Sequence, residues 1–251
     1  MQIRTLHTNE LHLLFHFSRL EGWDTESIHS QTLFHLHPHD FFIAIKQKQV
    51  IGFIIALKYS STFGFISNLL ILKEFRGLGH GQELLSYALK HLKGCQIGLD
   101  SIVEKETIYQ KFGFKSYFDL ITYKFFTGSV MLSKSDLKVI DFDEIFSLKE
   151  KDSYMKEMIS NKNISYKSIK KENQETSFAF SFSYIDGYKI HIESKDINEA
   201  LTLFFALANL HNEGTVIYLQ SSLLTPMIQA IVELLKMQVH TKYVRMYNFI
   251  P

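Results

Sequence analysis

Residues Arg76-Gly77-Leu78-Gly79-His80-Gly81-Gln82 combine a permanent cation with three alternate glycines. They precede a stretch in which Leu84, Leu85, Ala88, Leu89 and Leu92 recur at helical spacing. Such a loop can grip phosphate. Glycine lets a backbone close around an anion. The first amides of the helix have no intrahelical partners, and the helix dipole favours negative charge there. The guanidinium fork matches phosphate oxygens. Spacing then narrows the ligand. A P-loop ends in Gly-Lys-Ser/Thr, and position 82 is Gln. The dinucleotide pattern G-x-G-x-x-G needs a glycine at 82 or 84, where Gln and Leu stand, although Asp100 lies about twenty residues on, where a ribose-binding acid would fall. The pattern that fits is Arg-x-x-Gly-x-Gly, filled by Arg76, Gly79 and Gly81.

The surrounding elements can present that loop. Gln2 to Leu6 alternates as a strand, Asn9 to Leu20 reads as a helix, and Glu21-Gly22-Trp23 ends it, with Asp24 or Thr25 free to cap the next. Phe41 to Lys46 and Val50 to Lys58 form a strand pair around Gln47-Lys48-Gln49, and Phe65 to Leu72 is a buried strand running into the loop. Helix Gly81 to Leu92, strand Gln96 to Asp100, helix Glu104 to Lys111 and strand Phe114 to Phe126 follow. The fold class is α/β, a mixed sheet with helices on both faces.

This pattern is complete by residue 127, which divides the chain into domains 1–127 and 128–251. The lysine-, serine- and glutamate-rich segment Lys149 to Lys171 reads as a solvated surface or mobile loop. Strands Ser177 to Tyr184 and Tyr188 to Ser194 flank the turn Ile185-Asp186-Gly187. Asp196-Ile-Asn-Glu199 forms a capping box for a helix through Leu210. Strand Thr215 to Gln220, helix Pro226 to Lys236 and strand Gln238 to Phe249 complete the half. The order repeats the end of the first domain, but no Arg-x-x-Gly-x-Gly lies between His191 and Leu201, and Leu234-Leu235-Lys236-Met237 replaces Phe112-Gly113-Phe114.

Composition narrows the function classes. The formal net charge is +1, which gives no general drive toward nucleic acid or an anionic membrane. No apolar run approaches the roughly 20 residues of a membrane helix, and Met-Gln-Ile-Arg-Thr lacks a signal-peptide core. The single cysteine, Cys95, cannot form an internal disulfide and sits beside an apolar strand, where burial is expected. These features imply a cytoplasmic protein, and nothing in the sequence sets its oligomeric state. His35, His37 and His39 alternate around Pro38, but no cysteine or carboxylate completes a known metal spacing.

Arg76-x-x-Gly79-x-Gly81, with Tyr109-Gln-Lys-Phe-Gly-Phe114 one helix, strand and helix later, resembles the GNAT superfamily of N-acetyltransferases. That family binds the pyrophosphate of acetyl-coenzyme A through Q/R-x-x-G-x-G/A and carries Tyr-x-x-x-Gly-Phe after the next helix. The resemblance covers about residues 1 to 126. Weaker likenesses at Glu21-Gly22-Trp23, Gly98-Leu99-Asp100 and Val244-Arg245-Met246-Tyr247 are similar to a tandem subfamily in which a GNAT domain precedes a smaller GNAT-related one. The second domain would then be a copy that no longer binds coenzyme.

The resemblance implies that Leu69, Leu70 and Ile71 pair with the pantetheine arm and that Arg76, Gly77, Leu78, Gly79, His80, Gly81 and Gln82 hold the pyrophosphate. It also makes Tyr109 the acid for the coenzyme sulfur. The chemistry needs a neutral amine, a site for the oxyanion and a proton for the thiolate. The implied acceptor is a small molecule or an exposed amino group. By analogy with the family, Glu21, Asp24 and the cluster His35, His37 and His39 are candidate bases, Asp40 could assist, and Asn68 could position a water. One departure from the family is the absence of asparagine from Asp100 to Thr107. A non-catalytic acyl-coenzyme A sensor is the second reading.

Overall fold

In a computed structural model, described over residues 1–23, 28–128, 140–141, 153–171, 174–222 and 224–248, the chain forms two compact units. The first comprises Met1–Phe118 and Tyr243–Pro251, the second Asp119–Lys242. Among the described residues no helix is long and apolar enough to cross a membrane.

The first unit contains β1 (Gln2–Thr5), α1 (Leu11–Leu20), α2 (Ile28–Leu36), β2 (Phe41–Lys46), β3 (Gln49–Lys58), β4 (Phe63–Ile71), α3 (His80–His91), β5 (Gln96–Ile102) and α4 (Glu106–Gln110). β6 (Phe114–Phe126) starts here. Strands β1 to β4 pair antiparallel in chain order, and β4 then pairs parallel with β5 through the α3 crossover. Successive side chains of a strand face opposite sides of the sheet. Phe41 and Phe53 meet Phe34 of α2 and Phe17 of α1, while their neighbours Phe42 and Ile54 join Leu84, Leu85 and Ala88 of α3. Helices therefore cover both faces. The one-and-four spacing of Leu84, Leu85 and Ala88 puts them on the buried stripe of α3, where truncating Leu84 costs about 2–5 kcal/mol. Cys95 is buried, its thiol directed at the Ser60 and Ser61 carbonyls.

The second unit contains the end of β6, then β7 (Ile140–Asp141), α5 (Ser153–Ser160), β8 (Ser165–Lys171), β9 (Gln174–Tyr184), β10 (Gly187–Glu193), α6 (Ile197–Ala208), β11 (Val216–Ser222) and α7 (Pro226–Leu234). The last strand is β12 (Gln238–Asn248). Strands β8, β9 and β10 are antiparallel, and β10 pairs parallel with β11 through α6. One core gathers Leu203, Phe204 and Leu207 of α6, Ile228 and Ile231 of α7, and Phe125 of β6.

The two halves exchange their last strands. Leu120 to Phe126 of β6 pairs with β11 in the second unit, and Tyr243 to Asn248 of β12 pairs with β5 in the first. A boundary at 127/128 follows the order of elements along the chain; the hydrogen-bonded units divide differently because strand pairing is a long-range choice.

Other differences from the sequence reading have local causes. Part of the lysine-rich stretch, read as surface or loop, is α5 and β8, with Met158, Ile159, Tyr166 and Ile169 buried. Its few apolar residues carry the packing and its many lysines mask them. Asp196 caps α6 through the Asn198 and Glu199 amides, but Glu199 turns to Lys171, Ser177 and Thr176 instead of closing a capping box. Gly187 pairs with Tyr184 and lies outside the two-residue turn Ile185-Asp186. A Cβ on Gly187 would stand 2.0 Å from the Val216 carbonyl oxygen, so glycine is required by the approach of β11.

Candidate functional site

The candidate site begins where two strands part. Parallel pairing of β4 with β5 runs from Phe63 and Gln96 to Ile66 and Leu99 and stops, although β4 continues to Ile71 and β5 to Ile102. A register shift against β3 falls in the same stretch, at Asn68, whose φ is +51°. The Leu72 amide bonds to the Ile51 carbonyl in β3. By strand alternation Ile71 and Leu69 turn their backbone groups away from β3, toward the gap, while Leu70 turns its own toward β3. The Leu70 side chain is buried.

Beyond the gap the chain turns into α3. Gly77 and Gly79 have φ of +76° and +82°, which glycine adopts without penalty. Gly79 is the N-cap of α3, and no side chain caps that end. Its first amides are left to an outside acceptor. The third glycine differs. A Cβ on Gly81 would meet Ile71 Cγ1 at 3.6 Å, an ordinary contact, so only two of the three glycines are conformationally required.

Arg76 lies at the entrance. Its Nε donates to the Ile71 carbonyl at 2.7 Å and its Nη2 pairs with Glu21 Oε1 at 2.7 Å. His80, the first residue of α3, is held by Lys46 Nζ at 3.2 Å from Nε2 and by Glu83 at 3.9 Å from Nδ1. Lys46 is a cation beside the loop that sequence reading did not single out, because β2 places it there from 34 residues away. Leu78 is exposed at the tip of the loop, and Gln82 lies in the first turn of α3.

Tyr109 stands in α4, its ring edge-on to Phe114 at 6.3 Å and packed against the core shared with α3. Its phenol makes no hydrogen bond among the described residues. Burial raises its pKa above the ordinary value, which keeps the hydroxyl protonated near neutral pH.

The histidine candidates fall elsewhere. His35 lies in the last turn of α2, and His37 and His39 flank Pro38. Asp40 accepts from His91 Nε2 at 2.8 Å and from the Lys58 amide at 2.9 Å, with His37 at 3.7 Å. His91 ends α3, about 16 Å of helical rise from His80. Asp40 thus clamps the end of α3 remote from the glycine loop. No group of described residues could hold a metal ion. Asp24 lies outside the described residues. Glu21 is held at the end of α1, where the Gly22 and Trp23 amides return to Arg19 and Ser18. Asp100, the residue after the last β4–β5 pair, receives a two-pronged ion pair from Arg245 of β12, whose guanidinium lies 4.9 Å from the Phe65 ring and 5.7 Å from that of Phe118. Sequence spacing could not reveal this pair, since its members are 145 residues apart.

A parted parallel strand pair thus leads into an uncapped, glycine-started helix, the geometry of a candidate anion site in an α/β fold. A family model described as an acetyltransferase (GNAT) domain matches residues 37–116, the span that holds the loop and Tyr109. A holothin acyltransferase from Pseudoalteromonas sp. (strain SANK 73390) is 23% identical over 99 residues, 39% of this chain and 34% of that protein. A solved chain from Pyrococcus horikoshii superposes with a TM-score of 0.77 at 13% identity, covering 100% of this chain and 89% of that one. A GNAT-family acetyltransferase from Colwellia psychrerythraea gives 0.62 at 12% identity, with 100% of each chain covered. At these identities the solved structures speak to the fold. Residues 37–116 thus match a GNAT acetyltransferase domain, and the whole chain shares its fold with a GNAT-family acetyltransferase.

Proposed function

We propose that the chain is an acetyl-coenzyme A dependent N-acetyltransferase of the cytoplasm, acting on a primary amine of a small molecule or an exposed amino group. The observation that carries this reading is the parting of β4 and β5 directly before the open end of α3. The residues fit the coenzyme. Unpaired strand edges suit the amides of an extended pantetheine arm, and free helix amides beside Arg76 and Lys46 suit its pyrophosphate. The coenzyme supplies the activated acyl group.

The protein's own residues do the rest. Leu69 and Ile71 offer backbone groups to the arm, and the loop from Arg76 to Gln82 anchors the phosphates. Tyr109, neutral and otherwise unbonded, donates the proton to the departing thiolate. The second unit is a degenerate GNAT-like domain that binds no coenzyme of its own. Incubating the full chain with acetyl-coenzyme A and a panel of primary amines, and following free thiol, tests this. Amine-dependent thiol release is expected. Tight coenzyme binding with no release across the panel would favour a non-catalytic sensor.

A further inference from the structure

We infer that Glu21 is an internal competitor for Arg76 and thereby sets the affinity of the loop for coenzyme. The inference rests on the loop being the coenzyme grip, and it assigns Glu21 a positioning role acting through Arg76. Two fixed points define the geometry. Glu21 is pinned by the turn that closes α1, in which the Trp23 amide returns to Ser18 at 3.0 Å and the Gly22 amide to Arg19 at 2.9 Å. Arg76 is pinned at its root by the Nε contact to the Ile71 carbonyl. Between them the Nη2 to Oε1 contact is 2.7 Å, at side-chain exposures of 45% for Arg76 and 18% for Glu21.

This placement has an electrostatic consequence. Glu21 neutralises the cation at the mouth of an anion site and sets a carboxylate where phosphate charge must approach. An ion pair this exposed is weak, and an arginine contact to phosphate is stronger and can be two-pronged, so phosphate takes the guanidinium over. Glu21 therefore opposes coenzyme binding without preventing it. When Arg76 turns to phosphate, the end of α1 loses its tie to the end of β4. Coenzyme entry and the position of α1 are linked through this one guanidinium.

The test is calorimetric titration of the full chain with coenzyme A, using wild type, Glu21→Gln, Arg76→Ala and the double variant. Glu21→Gln is expected to tighten binding by about two- to fivefold, the upper end equivalent to about 1 kcal/mol. In the Arg76→Ala background the same change should have a smaller effect, since only the direct repulsion between carboxylate and phosphate remains, and Glu21→Ala should act in the same direction as Glu21→Gln. A residue that only braced the fold would weaken binding when changed. Unchanged or weaker binding by Glu21→Gln, with wild type binding normally, overturns the competitor role and leaves the grip standing. Failure of wild type to bind coenzyme A overturns the grip, and the inference with it.

Discussion

Helices α3 and α6 each connect two parallel strands, and of their amino-terminal ends only the first lacks a side-chain cap. At α3, Gly79 leaves the helix amides without a side-chain cap. At α6, Asp196 accepts from the Asn198 and Glu199 amides at 2.8 and 3.0 Å, so a carboxylate of the chain itself fills the place an anion would take. The strands differ much less. β4 and β5 form four parallel pairs before parting, and β10 and β11 form three, ending at Lys189 and Tyr218, although both continue. The second unit thus has parted strands like the first but a capped helix end. Parting of strands is a property of sheet twist and pairing; anion binding needs free amides as well.

The sharpest break between the units should come from Tyr109, since α7 of the second contains no tyrosine. Tyr109→Phe is expected to lower turnover by about 100-fold or more with coenzyme affinity nearly unchanged, as loss of a general acid does. Steady-state kinetics paired with coenzyme titration checks this, and equal loss of both would make the ring a packing residue.

Next in size is Gly79→Val. It forces a β-branched residue to a φ of +82° at the open cap and should weaken coenzyme binding about tenfold or more. Gly81→Ala, where a Cβ has room, should bind almost as wild type. Similar losses from both would show that the loop works by close approach to the ligand and not by backbone conformation.

Asp196→Ala removes the cap of α6 and should cost about 1 kcal/mol in denaturant unfolding. Coenzyme stoichiometry should remain one per chain, and a second binding event on opening that cap would dissolve the contrast.

The smallest effect concerns acid stability, where the units should behave alike. The hydrogen bond from Arg4 lowers the Glu10 carboxyl from 4.5 to about 2. Burial works to raise Glu199, but Lys171, Ser177 and Thr176 outweigh it and hold that carboxyl low as well. A depressed folded pKa contributes stability that is present above the unfolded value and lost as pH falls through the folded one. Between pH 4.5 and about 2, Glu10→Gln should flatten the loss of stability with acid, measured by denaturant unfolding at each pH. An unchanged slope would show that Arg4 contributes no coupling.

Much of the first unit was legible locally. The glycine loop, the apolar stripe of α3 and the Tyr109 to Phe114 segment each lie within a few turns of chain, so spacing exposed them. The helix after Asp196 could be read for the same reason. The region of α5 and β8 could not, because lysines outnumber the few apolar residues that bury. Asp40 looked like a helper to a base by its chemistry, yet His91, 51 residues away, makes it a helix clamp. Lys46 and the Arg245–Asp100 pair were equally invisible.

By itself the sequence determined that one half of the chain carries an Arg-x-x-Gly-x-Gly loop before a helix and that the other lacks it, since both follow from residues close together on the backbone. Tertiary structure decided that the halves exchange their last strands, that of the three loop glycines only Gly77 and Gly79 need to be glycine, and that Arg76 is held by Glu21. Those outcomes depend on which distant backbone edges and charges meet. Strand pairing and ion pairing are long-range, so no local spacing encodes them.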